Sequence, residues 1–292
     1  MSDKAVKKTI LVTGGAGFIG SNLIQELQKR YPDSKILSLD NYFAGSKDNH
    51  IKGVTYIEGD TKNIKILIQE NIDLLFHLGE YSRVEASFDD IEKVIDFNKV
   101  GTASVVNFCK EQPSCKLIYA ASSTKFADNG EGRDQSPYAF TKAINVDLIN
   151  NYGLWFSLNY AIVYFYNVYG ERERSEGPYA TLIGIFKKHF LQKTPLPVVA
   201  PGTQKRNFTH VNDIVNGIIL AAEKGKGDGY QLGAKESYSV LEIANMFGGD
   251  ITLLPERRGN RMFGVLDTTK AERELGWKAT QKIKDYIEEI KK

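Results

Sequence analysis

Cysteine is scarce. Only Cys109 and Cys115 occur in 292 residues, too few to frame a disulfide-rich scaffold, and a reducing compartment is the simpler expectation. A charge excess of one sign is missing too. The formal net charge is +2 with no long basic or acidic block, so nucleic acid and lipid surfaces are not expected partners, and any anion must be held by local arginines. No apolar run is long enough to span a bilayer, and Met1-Ser2-Asp3-Lys4 lacks the apolar core of a signal peptide. The expectation is a cytoplasmic protein. The histidines, His50, His77, His189 and His210, are scattered without ligand spacing, so no metal site is expected. Repeats and low-complexity tracts are absent as well. The length allows one large or two modest domains with a sizeable core.

What is present begins with Thr9-Ile10-Leu11-Val12-Thr13-Gly14-Gly15-Ala16-Gly17-Phe18-Ile19-Gly20. A β-branched, apolar run stops at Gly14, and helical spacing follows, with Ile19, Leu23, Ile24 and Leu27 on one face. Strand, tight turn and helix in that order give each of Gly14, Gly17 and Gly20 a task that a Cβ would spoil. They turn the chain, let backbone approach a pyrophosphate, and pack helix on strand. The helix start offers unpaired N–H groups and the positive end of its dipole to phosphates. A glycine triplet alone is weak evidence, since an ordinary βαβ turn can carry one. Here a second strand, Lys35 to Leu39, ends in Asp40, at the distance where a carboxylate accepts the ribose hydroxyls of an adenosine. A carboxylate there repels a 2′-phosphate, so the expected cofactor is NAD rather than NADP.

Strands expected at 35–39, 54–57, 73–77, 115–121 and 158–164 alternate with helices at 18–30, 62–70, 89–111 and 137–151. Such alternation predicts an α/β fold, a Rossmann-type doubly wound parallel sheet. Near Asn167 the rhythm breaks and glycine and proline become frequent, which predicts a smaller α/β substrate-binding domain. The boundaries expected are 1–166 plus 208–227 for the NAD-binding domain, and 167–207 plus 228–292 for the second. A helix at 211–224, with Val211, Ile214, Val215, Ile218 and Ile219 in register, is expected to pack back on the first. Ser239 and Glu242 form a capping-box pair opening a helix at 240–247.

A second motif opens another helix. Ser136 can cap it, Pro137 suits its first position, and Tyr138 and Lys142 fall one turn apart on the same face. A phenol is a poor base at neutral pH, and a neighbouring ammonium favours the phenolate, so the pair is a candidate general acid/base. Tyr-x-x-x-Lys is also common on solvated helix faces. The preceding strand favours chemistry, because it runs into Ser122-Ser123-Thr124, and hydroxyls at the carboxyl end of a parallel strand sit where ligands bind.

These residues resemble the extended short-chain dehydrogenase/reductases, and within them the NAD-dependent sugar-nucleotide epimerase/dehydratase group typified by UDP-glucose 4-epimerase. The resemblance runs through TGGAGFIGSNL (13–23), LDNY (39–42), EGD (58–60), AASST (120–124), SPYAFTK (136–142), YNVYG (166–170), PGTQKRNFTHVNDI (201–214) and LDTTKAERELGW (266–277). It implies cofactor contacts from Gly14, Gly17, Phe18, Ile19, Asp40, Asn41, Asp60, Thr61, Leu78, Tyr138 and Lys142. It implies Ser122, Tyr138 and Lys142 as catalytic residues, and a nucleotide-sugar substrate touched by Glu80, Asn167, Tyr179, Gln204, Arg206 and Arg257. Arginine suits a diphosphate because its fixed donors match two oxygens at once. Arg257, Arg258 and Arg261 cluster, so any of them could serve. Tyr179 could equally pack in the core.

The chain also departs from the group. Ser123 and Thr124 stand where sugar-nucleotide dehydratases carry Asp and Glu, which argues against 4,6-dehydration. Phe126-Ala127 replaces the usual Tyr-Gly, and the loop from Lys125 to Gln135 is short. Glu80 replaces a small residue and is expected either near the nicotinamide or as a solvated loop carboxylate. The expected activity is 4-epimerisation through a 4-keto sugar, with net 4-dehydrogenation as the alternative and a non-catalytic NAD-binding protein as the remaining one. The helices at 89–111 and 137–151 carry apolar residues on more than one face, and the resemblance implies that they pair across a two-fold axis in a homodimer.

Overall fold

A computed structural model describes residues 7–258 and 262–292. Seven parallel strands form the main sheet: β1 (Thr9–Thr13), β2 (Lys35–Asp40), β3 (Thr55–Glu58), β4 (Leu74–His77), β5 (Lys116–Ser122), β6 (Tyr160–Phe165) and β7 (Gly227–Leu232). Their order is β7-β6-β5-β4-β1-β2-β3. The chain reverses direction across the sheet between β1 and β4, and a crevice opens there beyond the carboxyl ends of the strands.

Alternation along the strands divides two cores. Ile10, Val12, Ile36, Phe76, Ile118 and Val163 face one layer, where α1 (Phe18–Arg30) contributes Leu23, Ile24 and Leu27 and a helix at Val211–Lys224 contributes Val211, Ile214 and Ile218. Leu11, Leu37, Leu75, Leu117, Tyr119 and Ile162 face the other, against Val105, Val106, Val146 and Ile149. Both faces are covered, which is why the central strands read as unbroken apolar runs. Helix α1 spans the expected residues. Lys29 and Arg30 sit in its last turn, favourably placed for the dipole, and Pro32 follows at once.

Three expected elements differ. The helix expected over 62–70 is a 3₁₀ turn, Thr61–Asn63, and a short helix, Ile64–Leu67. Ile68 turns to an extended conformation and is buried, while the Gln69 amide donates back to the Lys65 and Ile66 carbonyls and closes the end. The helix expected over 89–111 starts at Ile91 and is interrupted by a π-turn at Ile95–Val100 before continuing as Gly101–Lys110. Within the π-turn the buried Asn98 accepts from the Tyr81 amide at 2.6 Å and donates to Thr141 Oγ1 at 3.0 Å. Helix α2 (Pro137–Phe156) outruns its expected end and stops at Ser157, in the left-handed region.

The smaller region has its own core of Tyr169, Ile183, Phe186, Val198, Phe208, Ile243 and Phe247. Its strand pairs are short, and its Val240–Phe247 helix carries the Ser239/Glu242 capping box. The expected boundary at 228 does not match the sheet. Tyr230 and Leu232 pack in the first core as part of β7, and Ala271, Leu275 and Trp277 join them there. Cys109 and Cys115 are free buried thiols. Among the described residues no helix is long and apolar enough to cross a membrane.

Candidate active site

A cavity of about 570 Å³ opens at the crevice, between the sheet's carboxyl end and the smaller region. Its floor is the β1–α1 turn. Gly14 has φ +72° and passes so close to the β4 loop that a Cβ would lie 2.9 Å from Gly79 backbone atoms. A Cβ on Gly20 would lie 2.1 Å from the Gly14 carbonyl oxygen, so helix and turn can meet only without side chains. The helix cap, Gly17, brings no side chain to the first-turn N–H groups, and Gly14, Gly17, Phe18 and Ile19 line the cavity. This bare cradle fits the pyrophosphate of a dinucleotide.

Asp40 closes β2 at the same wall. Its Oδ2 accepts from the Ala16 amide at 2.9 Å and its Oδ1 from the Tyr42 amide at 2.8 Å; burial raises its carboxyl above the usual range. Each oxygen retains a lone pair for a ribose hydroxyl. Asn41 donates to Asp60 Oδ1 at 2.6 Å, tying the ends of β2 and β3 together. Asp60, Thr61 and Leu78 also line the wall.

The opposite wall carries the second motif. Ser136 caps α2 by accepting from the Ala139 amide at 3.1 Å, which starts the helix where Tyr138 meets the cavity. Ser122, at the end of β5, accepts from the Thr124 amide at 3.2 Å and its hydroxyl at 3.0 Å, and keeps its own proton to donate. Lys142 lies one turn beyond Tyr138. Its ammonium binds the Glu80 carboxylate and the Ala120 carbonyl, and stands 4.7 Å from the centre of the Tyr119 ring.

Glu80 is thus neither a solvated loop carboxylate nor a group free to hold substrate. Its side chain is 2% exposed, and its other oxygen accepts from Thr102 at 2.6 Å, Asn145 at 2.8 Å and Tyr119 at 3.2 Å. Burial pushes its carboxyl up, but the charge of Lys142 and the hydrogen bonds outweigh that and hold it below the usual range. His77 lies behind it, between Thr13 Oγ1 at 2.7 Å and Thr102 Oγ1 at 2.9 Å, and burial drives its imidazole down to about 4.

The third wall comes from the smaller region. Asn167, with φ +24°, follows β6 and donates to the Asn207 carbonyl at 3.2 Å. Tyr179 lines the cavity rather than filling the core, with its ring edge-on to Phe43 at 5.2 Å. Arg206 and Arg258 also line it, as does Arg257, which pairs with Glu85 at 2.8 Å. Arg261 lies outside the described residues. Gln204 is off the cavity wall. It is buried beneath the turn before Lys205 and donates to the Val199 carbonyl at 3.1 Å, so its expected contact with substrate is not there.

Two cavity arginines escaped the sequence reading. Arg83 donates to the Tyr179 carbonyl, while its Nε is enclosed without a partner. Arg174 donates to the Ala44 carbonyl at 3.1 Å. Arg83 follows Glu80 on the β4 loop, and its carboxyl-end position was the available signal.

A family model, the NAD dependent epimerase/dehydratase family, matches residues 10–233. The chain belongs to that family. It is therefore an NAD-dependent enzyme, in keeping with the cradle and the Asp40 wall. A putative UDP-glucose 4-epimerase of Methanocaldococcus jannaschii is 26% identical, over 96% of both chains. A UDP-N-acetyl-alpha-D-glucosaminuronate decarboxylase of Bacillus cytotoxicus is 30% identical, over 82% of this chain and 79% of that one. The crystal structure of a Thermotoga maritima UDP-glucose 4-epimerase with UDP-glucose superposes with a TM-score of 0.90 at 23% identity, covering 96% of each chain. Epimerase and decarboxylase chemistry both occur among these relatives, so the reaction must be argued from the site.

Proposed function

We propose that this family member is a sugar-nucleotide 4-epimerase that works through a 4-keto intermediate. The observation that carries this reading is that Ser122, Tyr138 and Lys142 open onto the same cavity as the glycine cradle. When bound, NAD accepts a hydride from the sugar carbon and can return it. The protein does the rest. Tyr138, as its phenolate, takes the proton of the sugar's 4-hydroxyl, and Ser122 donates a hydrogen bond to the oxygen as its charge develops. Lys142 is fixed behind them. Arg206 and Arg257 hold the diphosphate from the smaller region, with Asn167 and Tyr179 beside it, which accounts for a cationic third wall in a chain of nearly neutral net charge. Gly14, Gly17, Phe18, Ile19, Asp40, Asn41, Asp60, Thr61 and Leu78 hold the cofactor.

The departures from the dehydratases support the epimerase reading over 4,6-dehydration. Water loss needs an acid and a base besides the tyrosine, and Ser123 and Thr124 supply neither. Among the described residues, the carboxylates lining the cavity are Asp40, Asp60, Glu80 and Glu85, and Glu80 and Glu85 are paired with cations.

The test is a panel of UDP-, dTDP-, GDP-, CDP- and ADP-sugars, each incubated with the enzyme and resolved by chromatography. Interconversion of a pair of C4 epimers without net NADH is the expected result. Stoichiometric NADH with release of a 4-keto sugar would replace epimerisation by net 4-dehydrogenation, and inertness of the whole panel would sink both. The helices on the outer face, 91–110 and 137–156, are the proposed interface of a homodimer.

A further inference from the structure

The Glu80–Lys142 pair lies at the carboxyl ends of β4 and β5. Asp40, where an adenosine ribose fits, lies at the end of β2 on the far side of β1. A dinucleotide that lays its ribose on Asp40 and its pyrophosphate on the β1–α1 turn therefore carries its nicotinamide toward Glu80 and Lys142. The two forms of that ring differ by one charge: oxidised nicotinamide is a cation and reduced nicotinamide is neutral. A lone buried ammonium beside it would repel the oxidised form selectively.

That ammonium does not stand alone. Glu80 binds it directly, and Thr102, Asn145 and Tyr119 all donate to the other oxygen of the carboxylate. Of the buried titratable groups packed behind the pair, burial keeps His77 neutral and holds the Tyr119 phenol well above its ordinary value, so neither adds charge. The pair itself carries one plus and one minus, with side chains 8% and 2% exposed, out of reach of screening by bulk solvent.

We propose that Glu80 is a positioning and charge-compensating residue, which pins the Lys142 ammonium to the Ala120 carbonyl and cancels its charge so that the site retains NAD in its oxidised, hydride-accepting form. The inference rests on the reading of Tyr138 and Lys142 as the reacting end, and deepens it. A small side chain at position 80 could not do this, because nothing else among the described residues brings a carboxylate to Lys142.

The experiment needs no sugar substrate. Dissociation constants for NAD⁺ and NADH are measured by calorimetry on the protein freed of nucleotide, and their ratio is compared across a two-by-two set of variants. Any loss of cofactor contacts in Lys142→Met that is common to both nucleotides cancels in the ratio. Glu80→Gln, measured at about pH 6 to keep the buried ammonium protonated, should shift the ratio toward NADH on the order of tenfold. Lys142→Met, measured at about pH 9 to keep the carboxylate ionised, should shift it toward NAD⁺ by a similar factor. The double variant, with both charges gone, should return to the wild-type ratio. It leaves no uncompensated buried ion, so it serves where a single variant fails to fold. Wild-type ratios in both single variants, or a tenfold departure in the double, would overturn the proposal. These outcomes are read without turnover, so failure of the epimerase reading on the sugar panel and failure of this proposal are distinct results.

Discussion

Tyr138 is the side chain on which turnover should depend. Its phenol reaches the cavity at the start of α2, and replacement by phenylalanine removes the proton acceptor while leaving the ring and its packing. Tyr138→Phe should lower kcat about 10²–10⁴-fold while the protein still binds NAD, as read by steady-state kinetics and calorimetry on the same preparation. A second residue sets a pH dependence of stability. Burial pushes the Glu173 carboxyl up to about 7, against the hydrogen bonds it accepts from Thr181 and the Gly170 amide. The native state therefore holds a proton that the unfolded chain releases near its ordinary value. Stability is full below that ordinary value and falls as pH rises toward 7. Glu173→Gln should flatten this decline, raising the melting temperature at pH 8 relative to wild type but not at pH 4; identical pH–melting curves would contradict it. Single residues differed in how well the sequence exposed them. Asp40 and the Tyr138/Lys142 pair follow from spacing within one strand or one helical turn. Glu80 does not, because its partner lies 62 residues away and the same letter fits an exposed loop.

Elements set by local pattern were the legible ones. Helices α1, Val211–Lys224 and Val240–Phe247 run over the expected residues, since each has a cap or turn at one end and an apolar stripe along its length. The interruption at Ile95–Val100 was not legible. It exists because Asn98 turns inward to Tyr81 and Thr141, contacts that span 17 and 43 positions and leave no periodic trace. The place of Gly227–Leu232 in the main sheet is not legible for a related reason: it depends on pairing with β6, far earlier in the chain. The π-turn makes its own prediction. Asn98→Ala leaves the Tyr81 amide and Thr141 hydroxyl without this buried partner, and should cost about 1–3 kcal/mol in denaturant unfolding. The same change loosens the segment carrying Glu80 to Arg83. A loss smaller than a few tenths of a kcal/mol would mean that water or a neighbour replaces the amide.

At the scale of the whole molecule, two packed helices carry a concentration of exposed apolar side chains. Ile91, Ile95 and Val100 on the interrupted helix and Phe140, Leu154, Trp155 and Phe156 on α2 are all more than a third exposed. Single exposed apolar residues are ordinary, but this many on two neighbouring helices suggest a covered surface. Both helices also carry the site on their inner sides: Asn98 and Thr102 on one, Tyr138, Lys142 and Asn145 on the other. Pairing across a two-fold axis would bury the outer sides and brace the segments that hold Glu80 and Lys142. Light scattering should therefore give twice the mass of one chain. Placing glutamates at Ile95 and Phe140 together should halve that mass by putting like charges in the interface, while far-UV circular dichroism stays unchanged. If the dimer braces the site, the monomer should also bind NAD more weakly, and dilution of the wild-type protein through its dissociation constant should reproduce that loss. A wild-type protein that scatters as a single chain at all concentrations would leave the apolar face without its proposed partner.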